Sequence, residues 1–432
     1  MRPGLNRAAT GPADTRFGRW LNAPDRGPVA VALSGGGDSL ALLHLAKAWA
    51  DAAGRPLVAL TVDHGLQAAS AAWTRFAAAA AAKLGVAHHT LAWAGPKPQA
   101  GLPAAARTAR HALLAEAARA GGARVVLMGH TADDLIEAAL MREAGVSTPS
   151  PRVWSPSPAW PQGRGVFLLR PLLDMRRAEL RAMLRRQDET WIDDPANDDP
   201  RFSRAVARRS AGDRVPPSPE ASTPTSRWLG DVREDPGGGL ALPRSSLRRA
   251  APDEAARLVG ALTLCAAGTS RPPAGAALGR LVARLTSDNR RVVSSLAGAR
   301  IEADGDDAMF RREAGEQARG GLAGYEAPVG ESVFDGRWLV RADEPGWRVE
   351  PLRGRAARLS SEARRRLRAL APAVRAALPV AVSPAGELAC PTLPGSGPLC
   401  ASSLGGARLA ATLGAVPDEA TLWRVAKTDA GS

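Results

Sequence analysis

The run Val29-Ala30-Val31-Ala32-Leu33-Ser34-Gly35-Gly36-Gly37-Asp38-Ser39 fixes the fold class of this chain. Its first five residues are apolar and of the right length for a buried strand, the glycines and serines form a turn, and residues 39–52 read as a helix. A glycine turn between a strand and a helix suits an anion. Glycine lets the backbone approach a ligand closely, and the helix N-terminus presents free N–H groups where its dipole favours negative charge. Ser34 and Ser39 add hydroxyl donors. No Lys precedes the last Ser, so the P-loop NTPase pattern is absent, and the glycine spacing does not match the dinucleotide fingerprint. Asp38 stands inside this cradle, where a carboxylate makes sense if a Mg2+ lies between it and phosphate. The plainer alternative is a glycine turn with a structural role only.

Outward from this turn, further strands fall at 57–62, 87–92, 124–128 and 166–169, with helices at about 68–84, 101–120, 132–142 and 175–186. Strands alternating with helices predict an α/β fold with a doubly wound, mainly parallel sheet whose ligands bind at the carboxyl ends of the strands. Residues 1–26 read as a poorly ordered lead-in, and 27–211 as the nucleotide-binding catalytic domain. Within it, the Pro- and Trp-rich segment 144–165 reads as a surface loop. The Pro/Ser/Gly-rich stretch 212–239 is the expected linker. A mainly helical domain is expected at 240–325, with a hairpin near 292–312, and a small mixed α+β domain at 326–432.

The chain has 432 residues, beyond the size at which one core stops growing, so several domains are expected. With 45% hydrophobic and 23% charged residues it is not a disordered chain. No apolar run approaches the roughly 20 residues of a membrane span, and the first residues carry no apolar leader, so a cytoplasmic protein with no membrane partner is expected. Cys265, Cys390 and Cys400 form no CxxC pair, which leaves no zinc ribbon and no dithiol centre. All but four of the 57 basic residues are arginine, a bias that codon composition explains. The net charge of +14 is a separate matter and points to a polyanionic partner, most often nucleic acid.

Further motifs narrow the reading. Ser34-Gly35-Gly36-Gly37-Asp38-Ser39 after a strand resembles the SGGxDS loop of the ATP pyrophosphatase (PP-loop) superfamily. Asp63-His64-Gly65-Leu66-Gln67 with Ser70 resembles the DHGLRxxS segment of the tRNA(Ile)-lysidine synthetases. Ala106-Arg107-Thr108-Ala109-Arg110-His111 resembles their ARxARY helix, and Gly129-His130-Thr131-Ala132-Asp133-Asp134-Leu135-Ile136-Glu137 their GHHxDDQxE. Leu169-Arg170-Pro171-Leu172-Leu173 is similar to LxRPLL. Asp194-Pro195-Ala196-Asn197-Asp198, with Phe202, Arg204 and Arg208, is similar to DPSNxD followed by RNxxR. The matches run in family order over residues 28–208, with departures at Gln67, Thr131, Leu135 and Ala205.

The resemblance implies an ATP-dependent ligase that joins L-lysine to C2 of the first anticodon cytidine (CAU) of isoleucine tRNA. ATP is its co-substrate and Mg2+ its cofactor. It assigns ATP binding to Ser34, Gly35, Gly36, Gly37, Asp38, Ser39 and His64, and catalysis to Asp38, Asp134 and Arg204. Asp38 and Asp134 are the candidate Mg2+ ligands. Arg107, Arg110, His130, Arg170 and Arg208 are candidate contacts to tRNA or phosphate. For Asp133, Asp134 and Glu137 the alternative is helix-start chemistry, in which carboxylates offset the dipole and Thr131 with Asp134 makes a capping box. For the arginines the alternative is a solvated surface charge. The alternatives are another PP-loop tRNA-modifying enzyme and an inactive RNA-binding homologue.

Overall fold

The computed structural model describes residues 13–23, 27–146, 148–194, 203–218, 225–273, 275–316, 322–393 and 398–430. The chain divides into two compact units, one of residues 1–223 with 416–432 and one of residues 224–415.

The first unit is built on a six-stranded sheet. Its strands are β1 (Val29–Ala32), β2 (Leu57–Asp63), β3 (Ala87–Ala92), β4 (Val125–Leu127), β5 (Trp154–Pro156) and β6 (Phe167–Leu169), in the order β3-β2-β1-β4-β6-β5. All pair in parallel except β5, which runs antiparallel along β6. Alternation along the central strands buries both faces. Val29, Val31, Val125, Leu127 and Leu169 pack with Leu40, Leu43 and Trp49 of helix α2 (Gly37–Ala53), while α1 (Ala13–Gly18) adds Phe17 to the same core. Ala30, Leu60, Val126 and Leu168 face the other way, against Leu114, Ala115 and Ala118 of α4 (Leu102–Ala120). Helix α3 is Ser70–Lys83, α5 is Ala132–Glu143, α6 is Arg177–Arg186 and α7 is Ser203–Ser210. Strands β2 and β4 flank β1 on opposite sides, so the sheet reverses its winding between β1 and β4. A doubly wound sheet opens a crevice there.

Several segments differ from the sequence-based expectation. Residues 13–23, expected in the lead-in, contribute α1, whose Phe17 ring stacks on Trp49 at 5.5 Å. One aromatic in a six-residue helix leaves no periodic signal to read. The expected surface loop 144–165 holds β5, where Trp154 stacks between Trp20 and Phe167 and donates from Nε1 to Val416 O at 2.7 Å. The last helix, Glu419–Ala430, falls in the first unit, not with 326–415. Glu419 and Arg55 make a two-pronged ion pair at 2.9 and 3.0 Å with both side chains buried. Arg55 also donates to Gly27 O.

The second unit carries two cores. In the first, strands Arg233–Glu234, Leu240–Pro243, Asp307–Arg312, Ala299–Asp304 and Val292–Leu296 form an antiparallel sheet in that order. Helices Arg244–Arg249, Pro252–Ala267 and Gly275–Ser287 accompany it, and Leu258 and Leu262 share a core with Ile301 and Phe310. The region expected to be mainly helical is therefore helix on sheet. The hairpin was visible in its alternation, whereas the flanking strands are too short to read. The second core holds a four-stranded and a three-stranded sheet from residues 325–403. Among the described residues no helix is long and apolar enough to cross a membrane.

The buried pair gives a stability test. Removing one partner of a buried ion pair strands the other charge and costs about 3–5 kcal/mol. Glu419→Ala should lower the stability of the first unit by that order in a urea titration followed by tryptophan fluorescence. Arg55→Met with Glu419→Leu should recover most of it. A loss under about 1 kcal/mol in the single variant would show that water replaces the pair.

Candidate active site

The glycine turn sits at the carboxyl end of β1. Gly35 has φ +84°, a left-handed conformation that glycine adopts without strain, and a Cβ there would lie 2.6 Å from Ile192 Cδ1. Ile192 N donates to Gly35 O at 3.0 Å, and the Trp191 ring covers Gly37. On the other side, a Cβ on Gly129 after β4 would come within 3.1 Å of Asp38 O and the Ser39 backbone. The turn is thus held between two chain segments. Inside it, the Ser39 hydroxyl donates to Gly36 O at 2.9 Å and accepts from Ser34 N at 3.1 Å, while the Ser34 and Ser39 hydroxyls lie 3.0 Å apart. No side chain caps the start of α2, and its first residues Gly37, Asp38 and Ser39 line the cavity above.

That cavity has a volume of about 520 Å3 and is lined by the turn, His64, Arg110, His130, Asp134, Arg177, Arg204 and Arg208. The size suits a nucleotide-scale ligand. Three carboxylates and three guanidinium groups interlock along one wall. Glu137 is almost wholly buried and accepts from Arg204 at 2.8 Å, Arg208 at 2.9 Å and Arg177 at 3.2 Å. Arg177 Nε also donates to Asp38 Oδ2 at 2.8 Å. Asp134 uses its two oxygens differently. Oδ2 accepts from Thr131 N and Oγ1 at 2.7 and 3.0 Å, and Oδ1 pairs with Arg204. Asp134 therefore makes the helix-start contact through one oxygen and an ion pair, which the sequence did not announce, through the other. Asp133 accepts from Arg177 N and pairs with Arg176.

Burial raises the Asp38 pKa above the ordinary carboxylate value, and the Arg177 charge works against that shift. Burial holds His64 below its ordinary value, with Arg110 adding to the effect. His130 is pushed well below by burial and then by Arg170 and Arg110. Both imidazoles are therefore neutral near pH 7.

Most of the residues marked out by sequence line this one cavity: Ser34, Gly36, Gly37, Asp38, Ser39, His64, Arg110, His130, Asp134, Arg204 and Arg208. Gly35 lies just beneath, under Ile192. Arg107 and Arg170 are outside the lining. Arg107 is exposed on α4, and Arg170 is buried with Nη1 donating to Arg152 O and Ser155 Oγ. Pro195, Ala196, Asn197, Asp198 and Phe202 lie outside the described residues. Leu135 and Ala205, where the family pattern has polar groups, are both buried, so an unpaired amide at either place would be costly.

Sequence reasoning missed Arg177, Trp191 and Ile192. A signal for the first existed. Arg176 and Arg177 open α6, where the helix dipole disfavours cations, so they needed a carboxylate reason to be there. Asp38 Oδ1 is buried and has no partner among the described residues, and a Mg2+ needs only one or two carboxylates when phosphates complete its shell. Asp38 fits. Asp134 has both oxygens engaged and fits only if Arg204 releases it.

Fold and loop together define a PP-loop ATP-binding domain, and the PP-loop domain family matches residues 11–215. Use of ATP follows from that class. The tRNA(Ile)-lysidine synthase of Caulobacter vibrioides is 51% identical over 85% of this chain and 87% of its own length. That of Hyphomonas neptunium is 38% identical over 71% of this chain and 88% of its own. The chain belongs to the tRNA(Ile)-lysidine synthase family.

Asp134→Asn separates the two duties of that side chain. Asparagine serves as well as aspartate at a helix start, so the melting temperature should hold within a few degrees, while the charge facing Arg204 is lost. Turnover should fall about a hundredfold, the scale of a lost general-base or charge contact. Near-normal turnover would reduce Asp134 to its helix-start role.

Proposed function

We propose that this cavity catalyses the ATP-dependent joining of L-lysine to C2 of the first anticodon cytidine of a CAU isoleucine tRNA, in the cytoplasm. The observation that carries the reading is the pairing, in one cavity, of an anion-binding turn with the unpartnered Asp38 Oδ1 and the adjoining carboxylates.

In the first step the cytosine O2 attacks the α-phosphorus of ATP, the bond to the bridging oxygen breaks, and pyrophosphate leaves with an adenylated base behind. Charge builds on the phosphates. The N–H groups at the start of α2 would stabilise it, joined by the Ser34 hydroxyl once that proton turns from Ser39 Oγ to phosphate. The Ser39 hydroxyl, donating to Gly36 O, shapes the turn. Such stabilisation of charge is the main protein contribution in phosphoryl transfer. Mg2+, when bound, supplies further neutralisation of that charge, held by Asp38. Arg204 borders the same space and can offset charge once it shares less of Asp134. In the second step the lysine ε-amine attacks C2 and AMP leaves. The amine must first lose a proton, and Asp38 or Asp134 is the acceptor. The base reaches this depth only if splayed from its stack.

For RNA, the +14 charge is the broad attraction, and in the second unit Arg248, Arg280, Arg284, Arg290 and Arg291 are exposed. Sulfur transfer, the main alternative for a PP-loop enzyme on tRNA, is disfavoured. The cysteines are confined to residues 265–400, and burial pushes the Cys265 thiol up to about 11, far from a thiolate at neutral pH.

Incubation of the protein with ATP, labelled lysine and isoleucine tRNA transcript should place label in RNA. Asp38→Ala should abolish it, a loss of about a thousandfold or more, while transcript affinity stays within twofold. Wild-type turnover in that variant would remove the turn from the mechanism. Absence of label with the unaltered protein would remove the reaction.

A further inference from the structure

We propose that Arg110 and His130, with His64 nearby, form a second anion site in the cavity, one that takes a phosphate group other than those seated on the serine–glycine turn. The inference rests on the reaction proposed above for the identity of that phosphate, though not for the existence of the site.

The two walls of the cavity treat their cations differently. Arg177, Arg204 and Arg208 are matched by Asp38, Asp134 and Glu137 at hydrogen-bond distance. Arg110, on the α4 side, forms no ion pair among the described residues, and its Nε is buried without a partner. Arg107 and Arg204, of the same sign, act on it unfavourably, and Asp134, which opposes them, is already engaged. Burial, then these two arginines, depress the Arg110 pKa to about 10. Behind His130, Arg170 adds a further buried guanidinium whose Nε also lacks a partner. His130 Nδ1 and His64 Nδ1 are buried and unpartnered as well.

Arg110 is half-buried, with its Nε shut off from water, and buried polar atoms are nearly always paired. Three such atoms, Arg110 Nε, His130 Nδ1 and His64 Nδ1, belong to residues that line one cavity, and this marks a place where a ligand completes the pairing. The missing partner is an anion, because every group left bare on Arg110 is a donor and neutral imidazoles supply one N–H each. A phosphate oxygen pair matches the planar guanidinium fork. The turn already offers N–H and hydroxyl donors to the phosphates of ATP. The second anion is then expected to be a phosphodiester of the RNA strand beside the reacting base, and the alternative source is an outer phosphate of ATP itself.

The test uses the full chain carrying Arg110→Leu or Arg110→Lys, with ATP and isoleucine tRNA transcript titrated separately and no turnover required. Arg110→Leu is expected to keep or raise the melting temperature, since it removes a half-buried cation whose Nε has no partner. It should weaken transcript binding about tenfold and lower the slope of log affinity against log salt by about 0.7–0.9, the value of one phosphate contact. ATP affinity should stay within twofold, and Arg110→Lys should recover part of the transcript affinity. Loss of ATP affinity with transcript binding intact also supports the anion site and assigns it to ATP. Unchanged affinity for both ligands overturns it, as does a lowered melting temperature with both affinities intact. If Arg110→Leu does not fold, the same arms are read on Arg110→Lys, where normal affinity for both ligands overturns the site. Lysine incorporation by the unaltered protein is measured apart from these titrations, so the reaction and the site can fail independently.

Discussion

Glu137 is a carboxylate almost wholly removed from water, and the guanidinium groups of Arg177, Arg204 and Arg208 converge on it. Much of the catalytic unit depends on that convergence. An isolated carboxylate at such depth would cost several kcal/mol, so the arginines are held by necessity and not only by preference. They arrive from α6 and α7, and Glu137 itself belongs to α5. One buried charge therefore joins three helices. Through Arg177 the same network reaches Asp38, fixing its Oδ2 and leaving Oδ1 bare. The structural bond and the site chemistry are consequently the same object. Arg204 can loosen its hold on Asp134 because its bond to Glu137 at 2.8 Å still ties α7 to α5.

The opposite charge balance prevails near Arg110, where cations outnumber carboxylates and the carboxylate that acts on it, Asp134, is already engaged. A cavity with a neutralised wall and a basic wall is polarised across its width. Such an arrangement orients a ligand that carries a cation at one end and phosphate at the other, or two ligands of opposite charge side by side. An amine and a nucleotide are ligands of that kind.

Legibility in the sequence followed the range of the interactions. The strand–turn–helix at 29–53 is local, and its glycine and serine pattern could be read directly, as could the alternation of strands and helices that gives a parallel sheet. Asp38, His64, Asp134 and Arg204, which line the cavity, could be marked out because each sits in a short motif at a strand end or helix start. Arg177 was passed over because its reason lies on two other elements, Asp38 on the turn and Glu137 on α5. The Arg55–Glu419 pair spans 364 residues, and no local pattern announces it. The sheet at 233–312 was half visible: the hairpin alternates, while strands of two and four residues carry too little pattern to separate from loop.

The turn itself depends on residues that no glycine motif contains. Ile192 donates to Gly35 and occupies the space a side chain there would need, and Trp191 lies on Gly37 with Arg181 and Arg185 each 5.6 Å from its ring centroid. Arg181 further donates to Asp193, which also accepts from Trp191 Nε1. The anion cradle is thus shaped from outside by the segment following α6, a short distance in sequence before the arginines of α7. Glycines make the turn possible, because only they tolerate the conformation and the closeness. They do not by themselves make it rigid. Rigidity comes from Ile192, Trp191 and the Gly129 backbone pressing on it from two sides, which lets donors be aimed at phosphate before the ligand arrives. A sequence with the same six residues but without this backing would bind anions less selectively, and the motif alone is a weaker statement about function than the motif together with what packs against it.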